Sequence, residues 1–79
     1  MGSADLREAF AAEAGAGYSV EQGLLYYERD YTGKEWQLLR FRGNGPSGPF
    51  EITSSKHSPN ADPIEVARET AKELLKPTG

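Results

Sequence analysis

Residues 36–42, Trp-Gln-Leu-Leu-Arg-Phe-Arg, alternate in character along the chain. Because successive side chains of a β-strand point to opposite faces, a strand built from them has two unlike faces. Gln37, Leu39 and Phe41 share one face and suit a protein core. The opposite face combines an aromatic, an aliphatic and two guanidinium groups, a mixture typical of a contact surface. Its members are Trp36, Leu38, Arg40 and Arg42.

The length and composition predict one small soluble domain. Seventy-nine residues make a single domain, and its outermost residues, 1–4 and 77–79, are expected to be frayed. Cysteine is absent, which excludes disulfides and thiolate metal sites and suits a cytoplasmic protein. No apolar run reaches membrane-spanning length, and the N-terminus lacks the pattern of a signal peptide. The net charge of −3 argues against strong phosphate binding.

Local signals predict a helix, three strands and a second helix. An alanine-rich helix is expected over residues 5–14, with Ser3 or Asp5 as its N-cap. Gly15 and Gly17 are expected to end this helix. Strands are expected over residues 18–29, 34–42 and 50–55. A turn at residues 30–33 and a glycine-rich loop at residues 43–49 separate them. Short connections between three adjacent strands imply an antiparallel meander.

The second helix has the clearest start signal in the chain. Asp62 is a typical N-cap, Pro63 suits the first helical position, and Pro77 ends the helix. Apolar residues spaced along one side predict a helix packed on one face of the sheet. Three i,i+3 ion pairs are expected on its solvent side: Glu65–Arg68, Glu69–Lys72 and Glu73–Lys76. The predicted class is therefore α+β: helix, three-stranded antiparallel meander, and C-terminal helix packed on one sheet face.

Catalytic and metal-binding patterns are weak. His57 has serines beside it, but a Ser-His-Asp triad needs groups that converge from separate backbone positions, so a solvated loop histidine is the better interpretation. One histidine without cysteine cannot fill a zinc site. The glycine-rich segment at residues 43–48 lacks the Lys-Ser/Thr ending of a phosphate loop. We therefore expect no enzyme activity, no metal and no cofactor.

Three interpretations of the Trp36 face remain open. Trp36 and Leu38 could be core residues under the first helix, against Leu6 and Phe10. The face could instead bind a protein partner or a second copy of the chain, since Trp, Tyr and Arg are enriched at such contacts. In the third interpretation nucleic-acid bases stack on aromatic rings while cations meet phosphates. That interpretation uses Trp36, Tyr26 or Tyr27, Lys34, Arg40, Arg42 and Lys56.

The element order is similar to that of the double-stranded RNA-binding domain. That family has a basic cluster at the start of its last helix, where this chain has Asn-Ala-Asp-Pro-Ile-Glu at residues 60–65, so its function is not carried over. The three strands and last helix also resemble the arm-type DNA-binding domain of phage integrases, through Lys34-Glu35-Trp36 and the arginine strand.

The resulting hypothesis is a non-catalytic interaction module that binds a protein partner or itself, with no membrane association. Nucleic-acid binding through the same face is the alternative. The predicted binding residues are Trp36, Leu38, Arg40, Arg42 and Tyr27.

Overall fold

The computed structural model describes residues 2–77, which form one antiparallel sheet and two helices. Its elements in chain order are α1 (Ser3–Ala14), β1 (Ser19–Arg29), β2 (Glu35–Gly45), β3 (Gly48–Thr53) and α2 (Pro63–Leu75). The sheet order β1-β2-β3 is that of a meander, so the predicted α+β class is confirmed. Ser3 and Ala4 belong to α1 rather than to a frayed end. Residues 1, 78 and 79, also expected to be frayed, lie outside the described residues.

Both helices lie on the same side of the sheet. Phe10 of α1 stacks on Phe41 of β2 at 4.3 Å between ring centroids, and on Phe50 of β3 at 5.8 Å. Buried residues of α2 join the same core, which consists of Leu6, Phe10, Ala14, Leu39, Phe41, Val66, Ala67 and Ala71. The molecule is 17 Å thick in its smallest dimension, so it holds two layers. The interpretation that placed Trp36 and Leu38 under the first helix is therefore wrong.

The glycine-rich segment is mostly strand rather than loop. β2 continues to Gly45, β3 begins at Gly48, and only two residues connect them. Gly43 is buried, and a Cβ there would collide with the carbonyl oxygen of Ser19 on β1. At Gly45 a Cβ would lie 2.7 Å from the Tyr18 ring. These glycines therefore permit close approach of neighbouring groups within the sheet.

The two helix starts differ from each other. Gly2 is the N-cap of α1, and its N–H donates to Oδ2 of Asp5 at 3.3 Å, so Asp5 acts from inside the first turn and not as the cap. In α2 the predicted cap is confirmed, because Oδ1 of Asp62 accepts from the N–H of Ile64 at 3.0 Å. These contacts satisfy backbone donors that a helix start leaves unpaired.

Candidate interaction surface on the sheet

The sheet face opposite the helices is uncovered within residues 2–77. Directly paired residues of antiparallel strands share a face, and the register pairs Tyr26 with Leu38, and Arg40 with both Leu24 and Thr53. Alternation then defines the surface, which we call the open sheet face. It consists of Gln22, Leu24, Tyr26, Glu28, Trp36, Leu38, Arg40, Arg42, Glu51 and Thr53.

Tyr27 is not part of this surface. It pairs with Gln37, which is buried on the helix side, so the Tyr27 side chain leaves the sheet on that side at the β1 edge. The prediction that Tyr27 joins the other four binding residues is wrong, and Tyr26 takes its place. The signal was present in the turn: with Arg29 opposite Glu35, counting back along both strands places Tyr26 opposite Leu38.

Trp36 is half-buried and fixed by the β1–β2 turn. Its indole Nε1–H donates to Oδ2 of Asp30 at 2.9 Å, and the Lys34 ammonium lies 4.3 Å from the ring centroid. Asp30 also accepts from the Thr32 hydroxyl and from the N–H groups of Thr32 and Lys34. The Thr32 hydroxyl first, and then the Trp36 indole, hold the pKa of Asp30 well below its ordinary value.

Leu38 and Arg40 form the centre of the open sheet face. Leu38 is only 7% exposed although no described element covers it, and Tyr26 is its direct partner on β1. Arg40 extends across all three strands. Its Nε donates to Oγ1 of Thr53 and its Nη2 to the Tyr26 hydroxyl, both at 3.3 Å, and its Cζ lies 5.4 Å from the Tyr26 ring centroid. This arginine thus ties β1 to β3.

Arg42 and Leu24 are exposed members of the face. Arg42 is exposed, and it forms no ion pair with any residue of the described part of the chain. Leu24 is 44% exposed. Glu28 and Glu51 lie on the same face, so the surface carries both signs of charge around an apolar centre. Such a surface is suited to binding a protein of mixed charge.

His57 occupies a second notable region, between the sheet and α2. Its Nδ1 lies 2.8 Å from the Ser55 carbonyl oxygen, and its Nε2 lies 3.4 Å from Oε2 of Glu69. The solvated-loop interpretation is therefore wrong, and so is the expected Glu69–Lys72 pair. The other two pairs predicted on α2 are confirmed: Glu65–Arg68 at 2.6 Å and Glu73–Lys76 at 3.0 Å.

Gln37 fixes the segment that leads into α2. Its side chain is 1% exposed, and its Nε2 donates to the carbonyl oxygens of Ala61 at 3.0 Å and Pro59 at 3.4 Å. Its Oε1 has no hydrogen-bond partner among residues 2–77. Next to this segment, β3 and α2 enclose a groove of about 650 Å³ whose lining includes His57, Glu69 and Lys72.

Ser54, one of the three serines near His57, has its hydroxyl bonded to the backbone. The Ser54 hydroxyl accepts from the Leu39 N–H at 3.0 Å and donates to the Ser55 carbonyl oxygen at 2.9 Å. A nucleophilic serine instead needs its proton directed at a base. In the part of the chain that the structure describes, no three His, Asp or Glu side chains are arranged to hold a metal ion.

Neither a family model, nor a curated protein, nor a solved structure matches this chain. The similarities noted from the sequence therefore remain similarities of element order alone. Among the described helices, none has the length and apolar character needed to cross a membrane.

Proposed function

We propose that this domain is a non-catalytic interaction module that binds a protein partner, or a second copy of itself, through the open sheet face. One observation carries the proposal: both helices pack on the other side of the sheet, so no element of residues 2–77 covers an aromatic, an aliphatic and two guanidinium groups. Trp and Arg, two of these residue types, are enriched among the few residues that supply most of the binding energy at protein interfaces.

The fixed geometry of the face supports this role. The Asp30 contact orients Trp36, and Arg40 is held by hydrogen bonds to both neighbouring strands. Side chains that are already ordered lose little entropy on binding, so more of the contact energy remains as affinity. Arg42 lies beside this ordered centre and makes no ion pair within residues 2–77, and we assign to it the polar contact with the partner.

Nucleic-acid binding is the second candidate, favoured by Lys34, Arg40 and Arg42, which make no ion pairs within residues 2–77. It ranks lower because Lys34 lies over the Trp36 ring and Arg40 over the Tyr26 ring. Bases would have to displace these cations before stacking. Fluorescence anisotropy with labelled single-stranded RNA should therefore show weak binding. Tight binding that falls steeply between about 50 and 200 mM salt would favour this candidate instead.

The experiment that tests protein binding compares Arg42→Glu with Arg68→Ala. Arg68 lies on α2 and loses only a surface ion pair, so it is a control on the helix side. We expect the immobilised wild type and the Arg68 variant to retain the same proteins from a cell extract, quantified by mass spectrometry. Arg42→Glu should lose at least about tenfold of that signal, the effect of removing about 1.4 kcal/mol of binding energy. Equal retention by all three would contradict the proposal.

A further inference from the structure

We propose that two copies of this chain pair weakly through the free edge of β1, so that two three-stranded sheets form one six-stranded sheet. This inference does not depend on the open sheet face. It concerns the apolar segment Leu24–Tyr27, which the proposed function leaves unexplained. Strand edges present unpaired backbone groups to any chain that can align with them.

The backbone N–H and C=O groups of Leu25 and Tyr27 point away from β2, to the outer edge of the sheet. On β2, Leu39 exchanges its backbone contacts with Ser54 on the β3 side: its carbonyl oxygen accepts from the Ser54 N–H at 2.7 Å. Gln37 exchanges two backbone bonds with His57, at 2.7 and 3.0 Å. The backbone N–H and C=O of a strand residue point to the same neighbouring strand. Because those of Leu39 and Gln37 point to the β3 side, they cannot form hydrogen bonds with β1. Their β1 partners, Leu25 and Tyr27, must therefore direct N–H and C=O to the outer edge.

This edge lacks the features that protect the other one. β3 is only six residues long, carries Pro49, and ends where the chain becomes irregular at Ser54. β1 has 11 residues, with neither proline nor lysine. Leu24 is 44% and Tyr27 49% exposed, so large apolar side chains flank the edge on both sides of the sheet.

In one register, the β1 edge of one copy can pair with the β1 edge of a second copy. The Ser3 hydroxyl donates to the Gly23 carbonyl oxygen at 2.9 Å, so α1 closes the edge at that point and leaves residues 24–29 open. An antiparallel pair with its two-fold axis at Tyr26 places Leu25 opposite Tyr27 of the second copy, and the reverse, and so forms four backbone hydrogen bonds. The two α1 helices then lie at opposite ends of the paired segment and do not collide.

Charge complementarity favours the same register. It brings Arg29 of one copy beside Gly23 of the other, where α1 begins. Asp5 lies at this end of α1, because its carboxylate accepts from the Gly2 N–H. The Arg7 stem also packs against Gly23, but its guanidinium is directed to the Glu21 carbonyl oxygen, one step along β1 from the position of Arg29. Each copy thus offers its Arg29 guanidinium to the Asp5 carboxylate of the other, and two-fold symmetry forms the contact twice.

The expected dimer is weak. Seven strand residues span about 24 Å, so the paired edges cover a few hundred Å² per copy, below the roughly 800 Å² of a standard interface. Sedimentation velocity between about 10 μM and 1 mM should show the mass rise from 8.6 kDa toward about 17 kDa. Over the same range, amide hydrogen exchange should slow at Leu25 and Tyr27. Leu24 and Tyr26, whose amides face β2, are internal controls and should not change.

Charge-reversed variants test the register. Arg29→Glu alone and Asp5→Arg alone should remain monomeric, whereas an equimolar mixture should associate because each contact again joins opposite charges. Arg42→Glu should dimerise like the wild type, which separates this inference from the proposed function. A mass that stays at 8.6 kDa up to 1 mM would overturn the proposal. So would a dimer whose Leu25 and Tyr27 amides exchange as fast as in the monomer.

Discussion

Asp30 shows how one carboxylate organises a hairpin. It accepts hydrogen bonds from the backbone of Thr32 and Lys34, which closes the turn between β1 and β2. It also accepts from the Trp36 indole, which anchors this residue of the open sheet face. Turn geometry sets the strand register, so the same contacts that shape the turn determine which side chains reach that face.

The low pKa of Asp30 predicts a specific pH dependence. The folded state binds the proton less tightly than the unfolded state, so the contribution of Asp30 to stability is complete above its unfolded pKa of about 3.9 and declines as the pH falls below it. We expect Asp30→Asn to lower Tm at pH 7, and the gap from the wild type to narrow steadily between about pH 4 and pH 2.

The matching control is Glu28→Gln, an exposed neighbour on β1 outside the turn network. Thermal unfolding followed by circular dichroism measures each gap. A difference between wild type and Asp30→Asn that stays constant down to pH 2 would show that the ionised carboxylate does not stabilise the fold.

Sequence patterns predicted elements well where local chemistry determines them. Asp62 and Pro63 marked the start of α2 correctly because capping and a fixed proline φ act within a few residues. The predicted strand limits at residues 43–49 were wrong. Gly43 and Gly45 lie within strand β2, where the absence of a side chain lets Ser19 and Tyr18, distant in sequence, approach closely. No local rule distinguishes a glycine needed for such close approach from one that forms a loop.

The candidate site shows the same division. Alternation alone placed Trp36, Leu38, Arg40 and Arg42 on one face, because strand periodicity is a local property. Choosing between Tyr26 and Tyr27 needed the register across the hairpin. That the first helix packs on the other side depends on the tertiary contacts of Phe10, which the sequence does not encode locally.

At the level of elements, the pairing of β1 with β2 leaves no room for a side chain at position 43. A methyl group at this position would overlap the Ser19 carbonyl oxygen, so the strands must separate where they pair. We expect Gly43→Ala to lower the free energy of unfolding by about 2–3 kcal/mol, as overpacking does in protein cores. Urea denaturation measures the loss. Arg42→Ala, at the adjacent exposed position, should change it by less than about 0.5 kcal/mol, and equal effects of both would contradict this account.

On the scale of the whole molecule, an aromatic stack joins α1 to the sheet. Phe10 is fully buried between Phe41 and Phe50, and the Tyr18 ring meets Phe50 edge to face at 6.0 Å. Because residues 2–77 form only two layers, these rings are buried in one core, between the helices and the sheet. A chain of 79 residues is expected to have a total stability of about 4–12 kcal/mol, so each of these rings is a large share of it.

Truncating Phe10 should therefore come close to unfolding the domain. Phe10→Ala removes a fully buried ring and is expected to cost about 3–5 kcal/mol, whereas Phe10→Leu keeps most of the volume and should cost less. Tyr31→Ala is the control, because its ring is fully exposed in the turn. Urea unfolding followed by circular dichroism should give midpoints that decrease in the order Tyr31→Ala, Phe10→Leu, Phe10→Ala. If Phe10→Ala unfolds at the same urea concentration as the control, the two layers are not held together by this ring.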